Sequence, residues 1–299
     1  MKKFVIIFLL YTVALFAQSN GNTGLAFLKY GFDARNIAMG DLGVVSKDYA
    51  LSAYYNPALV TNFLHAQIMF SHSQLIQDVS SEIIAADFSL FQLPFIFSIN
   101  TTTIPDIEVR TNPGEPLSTF NAHYFWGSIS TGVHITNRLS AGLTIKYLYE
   151  NIFSDEAYGF GFDFGLFYED LIDNLNIGAS LRNIGSMNQL REQKTKLPID
   201  LRIGASYDFQ ASVINSDIFI QTGYQGYTET GDNHFHFGTE IFYNKVFAVR
   251  AGYMTGYESK GLTTGAGIVW GPLAFDYAFV PFDYGLGNTH TISVTYNFL

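Results

Sequence analysis

Apolar and polar residues alternate along most of this chain. The last stretch, Leu273 to Leu299, reads as two strands around a loop. His290, Ile292, Val294, Tyr296 and Phe298 fall on one face, and Thr291, Ser293, Thr295 and Asn297 on the other. Leu273, Phe275, Tyr277 and Phe279 oppose Ala274, Asp276 and Ala278 in the same way. A period of two is that of a β-strand, whose side chains point alternately to opposite faces. From Ala66 onward the pattern predicts fourteen such segments: 66–72, 83–91, 95–103, 123–135, 140–150, 157–168, 175–183, 199–209, 217–225, 235–243, 246–254, 262–270, 273–281 and 289–298. The clearest is 157–168, with Tyr158, Phe160, Phe162, Phe164, Leu166 and Tyr168 facing away from Gly159, Gly161, Asp163, Gly165 and Phe167. Most segments approach the ~9–11 residues with which a tilted strand crosses a bilayer. One face suits acyl chains and the other water. In lipid such a sheet must close, because no water satisfies an open edge. The expected fold is therefore all-β: a transmembrane antiparallel β-barrel of about 14 strands, closed by pairing the last strand with the first.

The connections test this independently. Alternating direction from the periplasm makes 92–94, 136–139, 169–174, 210–216, 244–245 and 271–272 the inner turns. The outer loops are then 73–82, 104–122, 151–156, 184–198, 226–234, 255–261 and 282–288. The first set is mostly shorter, the asymmetry of outer-membrane barrels. A soluble sandwich or propeller would also alternate, but it would not crowd Phe and Tyr onto one nearly uncharged face.

Composition sharpens the picture. Hydrophobic residues make up 48% of the 299 residues and charged residues only 14%, against about 25% charged in an average soluble protein. The start, Met1-Lys2-Lys3 followed by the apolar run Phe4–Phe16 and Ala17-Gln18, describes a signal peptide over 1–17. No Cys is present, which rules out disulfides and a lipid-modified cysteine. A net charge of −10 argues against a nucleic-acid partner.

Residues 18–65 are not regular strand. They read as an N-terminal hatch packed in the lumen, ahead of a barrel over 66–299. A short helix is expected within 47–55, ending at Asn56 because the residue before Pro57 is pushed out of the α region. Asp33, Arg35, Asn56 and Pro57 are the expected structural residues of the hatch, with Arg35 seeking a carboxylate among Asp33, Asp41 and Asp48.

The inward face carries Lys146, Asp163, Arg182, Asp200, Arg202, Glu240, Arg250 and Asp276. Two readings stand. The charges pair across the ladder and hold hatch to wall, or Arg35, Arg182 or Arg202 offers its planar fork to the carboxylate headgroup of a ligand. His234 and His236 share a strand face near Asp232 and Glu240, but no spacing fixes a third metal ligand. No nucleophile, base and orienting group are set together, and no Gly-rich phosphate loop precedes a helix. No catalytic residue, metal or cofactor is expected. The glycines sit at strand period and read as space for the hatch or as curvature.

AFLKYGFDARNIAMGDLGVVSKDYALSAYYNPAL (26–59) resembles the N-terminal region of the PorV/PorQ family, relatives of the FadL-type long-chain fatty-acid transporters. Further matches are LSAGLTIKYLYENIFSDEAYGFGFDFGLFY (139–168), NIGASLRNIG (176–185), KLPIDLRIGASY (196–207) and FDYAFVPFDYGLGNTHTISVTYNF (275–298), in the family's order. Leu59 stands where many members have Gly, and the chain ends on Leu299 rather than Phe. The resemblance implies a FadL-like barrel of about fourteen strands with an N-terminal lumenal hatch, integral to the outer membrane of a Gram-negative bacterium and in contact with outer-membrane lipid. It implies a non-enzymatic part in type IX protein secretion, binding secreted cargo proteins or other secretion-system components through loops 104–122 and 184–198. The alternative is a transporter of hydrophobic small molecules such as fatty acids.

Overall fold

The computed structural model describes residues 24–47, 49–62, 66–191 and 193–298. The expected signal peptide, the first residues of the hatch segment and Asp48 lie outside the described residues.

Alternation becomes alternate burial. In 157–168, Tyr158, Phe160, Phe164 and Leu166 are each about half exposed, while Asp163 and Phe167 are buried. Fourteen strands result: β1 Gln67–Gln74, β2 Ser80–Leu90, β3 Leu93–Val109, β4 Ser118–His134, β5 Leu139–Ile152, β6 Asp155–Ile172, β7 Leu175–Met187, β8 Asp200–Ala211, β9 Ser216–Tyr227, β10 Asn233–Tyr243, β11 Phe247–Met254, β12 Leu262–Trp270, β13 Leu273–Pro281 and β14 Asn288–Asn297. Each pairs antiparallel with its neighbours in a closed barrel. The seam is β14 on β1, registered from Gln67 opposite Asn297 to Gln74 opposite His290. The Phe298 amide donates to the Ala66 carbonyl at 2.8 Å beyond it. No described helix is long and apolar enough to cross a membrane, and the exposed face of the strands carries the apolar band instead.

All fourteen predicted segments are strands, but several run further than expected. β3 and β4 have 17 residues each and β6 has 18. The extra length of β3 and β4 is at the long-loop end, so loop 104–122 shrinks to 110–117, whereas β6 extends mainly at the short-turn end, through Ile172. The cause is visible in the outward positions of β3, where Phe97 and Ile99 give way to Thr101 and Thr103. Pairing continues after the apolar contrast has ended. A second departure is at Asn183, which adopts a positive φ of 60° beside a register shift between β6 and β7. This bulge turns Arg182 and Asn183 both inward; strict alternation would send one of them out. The Asn183 amide, freed from the ladder, donates to Asp163 Oδ1 at 2.7 Å. Segment 184–198, expected as a loop, contains the end of β7 and a two-residue hairpin, Gln189–Leu190 with Gln193–Lys194.

The lumen is filled by residues 24–62. Helix α1, Ala34–Ala38, starts where Asp33 accepts the amides of Arg35 and Asn36, an N-cap. Helix α2 covers only Ser52–Tyr55 of the 47–55 expected, and it stops at Asn56 before Pro57. A 3-10 turn, Ala26–Lys29, and a 3-10 segment, Pro57–Asn62, complete the hatch.

The wall makes room for this backbone with glycine. Gly142, Gly165, Gly178, Gly204, Gly223, Gly238, Gly252 and Gly265 lie one per strand from β5 to β12, and a Cβ on any of them would meet hatch atoms. Gly142 pairs with Gly165, Gly178 with Gly204, Gly204 with Gly223 and Gly238 with Gly252, so the belt is nearly level. At Gly142 the obstacle is the Pro57 carbonyl, at Gly178 the Val44 carbonyl and at Gly238 the Met39 carbonyl. Backbone cannot rotate aside as a side-chain tip can. Gly165→Val and Gly178→Val are therefore expected to dislodge the hatch while leaving the barrel wall closed. The check is ion conductance in planar bilayers, which rises above wild type, together with barrel mobility on unheated gels, which is retained.

Candidate functional site

The hatch meets the wall through two clusters of charge and one of aromatic rings. In the first, Arg35 on α1 forks onto Glu240 of β10, with Nη2 2.8 Å from Oε1 and Nε 3.1 Å from Oε2. Glu240 is shared with Arg250 of β11, whose Nη1 reaches Asp276 Oδ1 of β13 at 2.7 Å. Glu240 and Arg250 pair directly across the ladder. Asp33 sits beside this cluster. Burial, and then the nearby Asp276 charge, push its pKa up to about 6 despite the amides it accepts.

The second cluster begins at Lys146 of β5, whose Nζ lies 2.6 Å from Asp163 Oδ2 on β6 and 2.9 Å from Asn183 Oδ1. Arg202 of β8 donates Nε to Asp200 and Nη1 to the carbonyls of Asp41 and Leu42, at 2.8 and 2.9 Å. Arg182 of β7 lies 3.6 Å from the same Asp200 and 4.2 Å over the Tyr54 ring. All three cations are buried. None of the nitrogens of Arg182 has a hydrogen-bond acceptor in reach. The guanidinium is held by charge and by the face of Tyr54.

The third cluster is apolar. Tyr54 stacks on Trp126 of β4 at 5.7 Å, Phe32 meets both edge-on at 4.9 and 5.6 Å, and Phe27 packs on Tyr124 at 5.1 Å. Met69, Leu148, Met187 and Leu197 extend this packing around the β1–β7 side of the lumen.

The expected hatch residues have identifiable duties. Asp33 caps α1, Arg35 clamps Glu240, Asn56 donates to the Val44 and Leu166 carbonyls at 2.9 and 3.0 Å, and Pro57 lies against Gly142. Among the described residues Arg35 finds its carboxylate on the wall and not at Asp33 or Asp41; Asp48, the third expected partner, lies outside them. The Asp33 carboxylate is taken by the helix amides, and Asp41 accepts Gly31 N–H and Tyr55 O–H. Of the three arginines considered for a ligand, Arg182 and Arg202 converge on Asp200, and Arg35 lies apart on Glu240. His234 Nδ1 faces the Thr255 carbonyl, His236 Nδ1 the Gly40 carbonyl, and Glu240 the two arginines. Among the described residues no His, Asp and Glu cluster has the arrangement of a metal site.

Cavities flank the hatch. At the long-loop end one of about 330 Å³ is lined by Lys29, Tyr30, Tyr227, His234, Tyr257 and Lys260. At the short-turn end are one of about 280 Å³, reaching Arg35, Glu240, Arg250 and Asp276, and one of about 700 Å³, reaching Arg35, Asp208 and Asp217. Sequence reading missed Trp126 and Lys260. Trp126 differs in no way from the other wall aromatics on one strand, and Lys260 lies in a loop without a period.

No family model matches this chain, and no curated protein matches it. Among solved structures it is similar to the Pseudomonas putida toluene transporter TodX, with TM-score 0.64 and 13% identity, over 89% of this chain and 98% of that one. It is similar to the CymD monoaromatic hydrocarbon channel, with TM-score 0.61 and 13% identity, over 90% and 98%. A Pseudomonas aeruginosa FadL homologue gives 0.56 and 11%, over 90% and 100%. At such identities the likeness is one of fold: a FadL-like, closed barrel of fourteen antiparallel strands. The PorV/PorQ resemblance draws no support from these comparisons.

Glu240 is the joint of the first cluster: removing it takes the carboxylate from Arg35 and leaves Arg250 with Asp276. Glu240→Ala is expected to destabilise the protein by about 3–5 kcal/mol, the cost of breaking a buried pair from one side. Arg35→Ala combined with Glu240→Ala should cost less than the sum of the two single changes. Denaturant unfolding in detergent, followed by tryptophan fluorescence and circular dichroism, measures both.

Proposed function

We propose that this protein sits in the outer membrane of a Gram-negative bacterium and passes small hydrophobic molecules inward past its hatch without chemical change. One observation carries this reading. The hatch divides the lumen between a cavity at the long-loop end and cavities at the short-turn end, and on the β1–β4 side its contact with the wall is aromatic and apolar. Polar solutes gain nothing from such a contact, whereas an apolar solute can exchange places with side chains of its own kind. The fold shared with a toluene transporter and a monoaromatic hydrocarbon channel supports the same conclusion. The lipid of the outer membrane meets the exposed aromatic and aliphatic band.

In this reading the charges are anchors. Arg35 and Arg202 hold α1 and the 41–42 backbone, and Asp33, Asn56 and Pro57 keep the hatch in shape. Arg182 is the cation with donors to spare should a carboxylate enter. The secretion role implied by the PorV/PorQ resemblance has no counterpart in the comparisons. Of the two loops expected to receive cargo, 104–122 is reduced to 110–117, and 184–198 holds the end of β7 and a two-residue hairpin.

The test is entry of toluene into cells, or into liposomes, with and without the protein. Toluene is expected to enter several-fold faster with it, while entry of a sugar of similar size does not change. Trp126→Ala, which removes the wall ring that Phe32 and Tyr54 pack against, should admit bulkier hydrocarbons. Equal toluene entry with and without the barrel, combined with periplasmic retention of secreted proteins in a deletion strain, would return the secretion role to first place.

A further inference from the structure

The cavity at the long-loop end has a chemistry of its own. Two ammonium groups reach it, one from the hatch and one from the loop between β11 and β12. Lys29 Nζ lies 4.7 Å over the Tyr227 ring. Lys260 Nζ lies 4.6 Å from the centre of Tyr257, 4.9 Å from Tyr30 and 5.8 Å from Phe282. Neither ammonium has an ion pair or a hydrogen bond among the described residues, although other lysines do, such as Lys146 with Asp163 and Lys196 with Glu229. Aromatic faces hold both cations in place but accept none of the six N–H bonds that two ammonium groups carry.

Two carboxylates also border the cavity, Asp232 and Glu258. Asp232 accepts the Thr230 hydroxyl at 2.7 Å, and Glu258 is exposed. Neither lies within ion-pair distance of Lys29 or Lys260. Burial pushes the Lys260 pKa down, and Arg202 adds to this against the opposing charge of Asp41. An anion placed here would restore it. The remaining wall is flat and aromatic. The His234 ring stacks on Tyr257 at 3.8 Å and 6°, and the edge of Tyr227 meets His234 at 5.8 Å. The volume of about 330 Å³ is at the lower end of small-molecule sites.

We propose that this cup binds a compact aromatic anion, an aryl carboxylate, with its charge between Lys29 and Lys260 and its ring against Tyr257 and Tyr30. This names a ligand for the mouth of the proposed channel and rests on that reading only for the ligand's onward passage. Each lysine contributes a charge-assisted hydrogen bond, among the stronger kinds, from a position that aromatic contacts have already fixed. The aryl ring then completes the set of faces around the two cations.

The experiment uses the full chain purified in detergent, with sodium benzoate as the probe, benzamide as its neutral isostere and octanoate as an extended carboxylate, read by calorimetric titration. Benzoate is expected to bind saturably and more tightly than octanoate, and benzamide to bind at least tenfold more weakly. Lys29→Gln and Lys260→Gln should each weaken benzoate by about tenfold, the weight of one hydrogen bond to a charged group. Barrel mobility on unheated gels confirms that each variant is folded. Lys260→Arg keeps the charge and should keep binding. If benzamide matches benzoate, if octanoate outcompetes it, or if both Gln variants bind as wild type does, the assignment is wrong. Toluene entry with the wild-type protein is measured separately. Loss of that entry with benzoate binding intact removes the channel reading and leaves the cup. Entry without benzoate binding removes only the cup.

Discussion

The structure depends on missing side-chain atoms. A fourteen-stranded barrel encloses a space that its own inward side chains do not fill, and this chain fills it with forty or so residues of its own N-terminal half-structure. For irregular backbone to lie against the wall, the wall must be bare at the line of contact. The level row of glycines from β5 to β12 provides that line, and the carbonyls of Met39, Val44 and Pro57 rest directly on it. Along this belt the hatch touches strand backbone. It is gripped along a belt more than half-way round the lumen, which explains why nearly every residue from Leu25 to Val60 is buried although the segment has only two short helices.

Close contact alone would leave the peptide groups of the hatch unsatisfied, and polar wall residues answer them. Thr263 Oγ1 accepts Gly40 N–H and donates to the Ala38 carbonyl, Gln221 donates to the Met39 carbonyl, and Ser180 to the Tyr55 carbonyl. The buried ions extend the same logic. Asp200 is held by Arg182 and Arg202, and Glu240 by Arg35 and Arg250. Breaking any one pair leaves a bare charge in a poorly solvated place, at a cost of several kcal/mol. The two halves of the interface therefore resist motion differently. From β5 round to β14 the hatch is tied by charge and directional bonds. On the β1–β4 side it rests on Phe27, Phe32 and Tyr54, whose ring contacts with Tyr124 and Trp126 are non-directional and can be exchanged.

How far the sequence discloses this follows from what each feature depends on. Strand number, inward and outward faces and the β14–β1 seam depend on period-two alternation, and all are readable from side-chain type. The height of the β3–β4 hairpin is not, because Thr101, Thr103 and Thr119 pair as well as Phe97 does while losing the apolar contrast. The Asn183 bulge is a local backbone event that strict alternation conceals. The start of α1 was readable, since Asp33 is an N-cap residue, yet the apolar pattern of 34–38 is too short to declare a helix. The partner of Arg35 is 205 positions away, and nothing in either neighbourhood links the two. The glycines were readable as space; which backbone would occupy that space was not.

The arrangement of polar and apolar contacts bears on how anything passes. Release of the whole hatch would break the Arg35, Arg202 and Asn56 connections together, and each of these is satisfied only in the present position. Movement confined to the aromatic side needs no such loss. If Phe32 swings away from Trp126, Tyr54 still keeps its hydroxyl bonds to the Leu28 and Tyr30 carbonyls at 2.9 Å and its face against Arg182. An apolar solute entering there replaces ring contacts with its own, so the barrier is one of packing and not of buried charge. That difference favours a stopper that stays anchored on one side and yields on the other. The same division makes the lumen selective, because a polar solute on the yielding side would give up its water and find no partner among the rings.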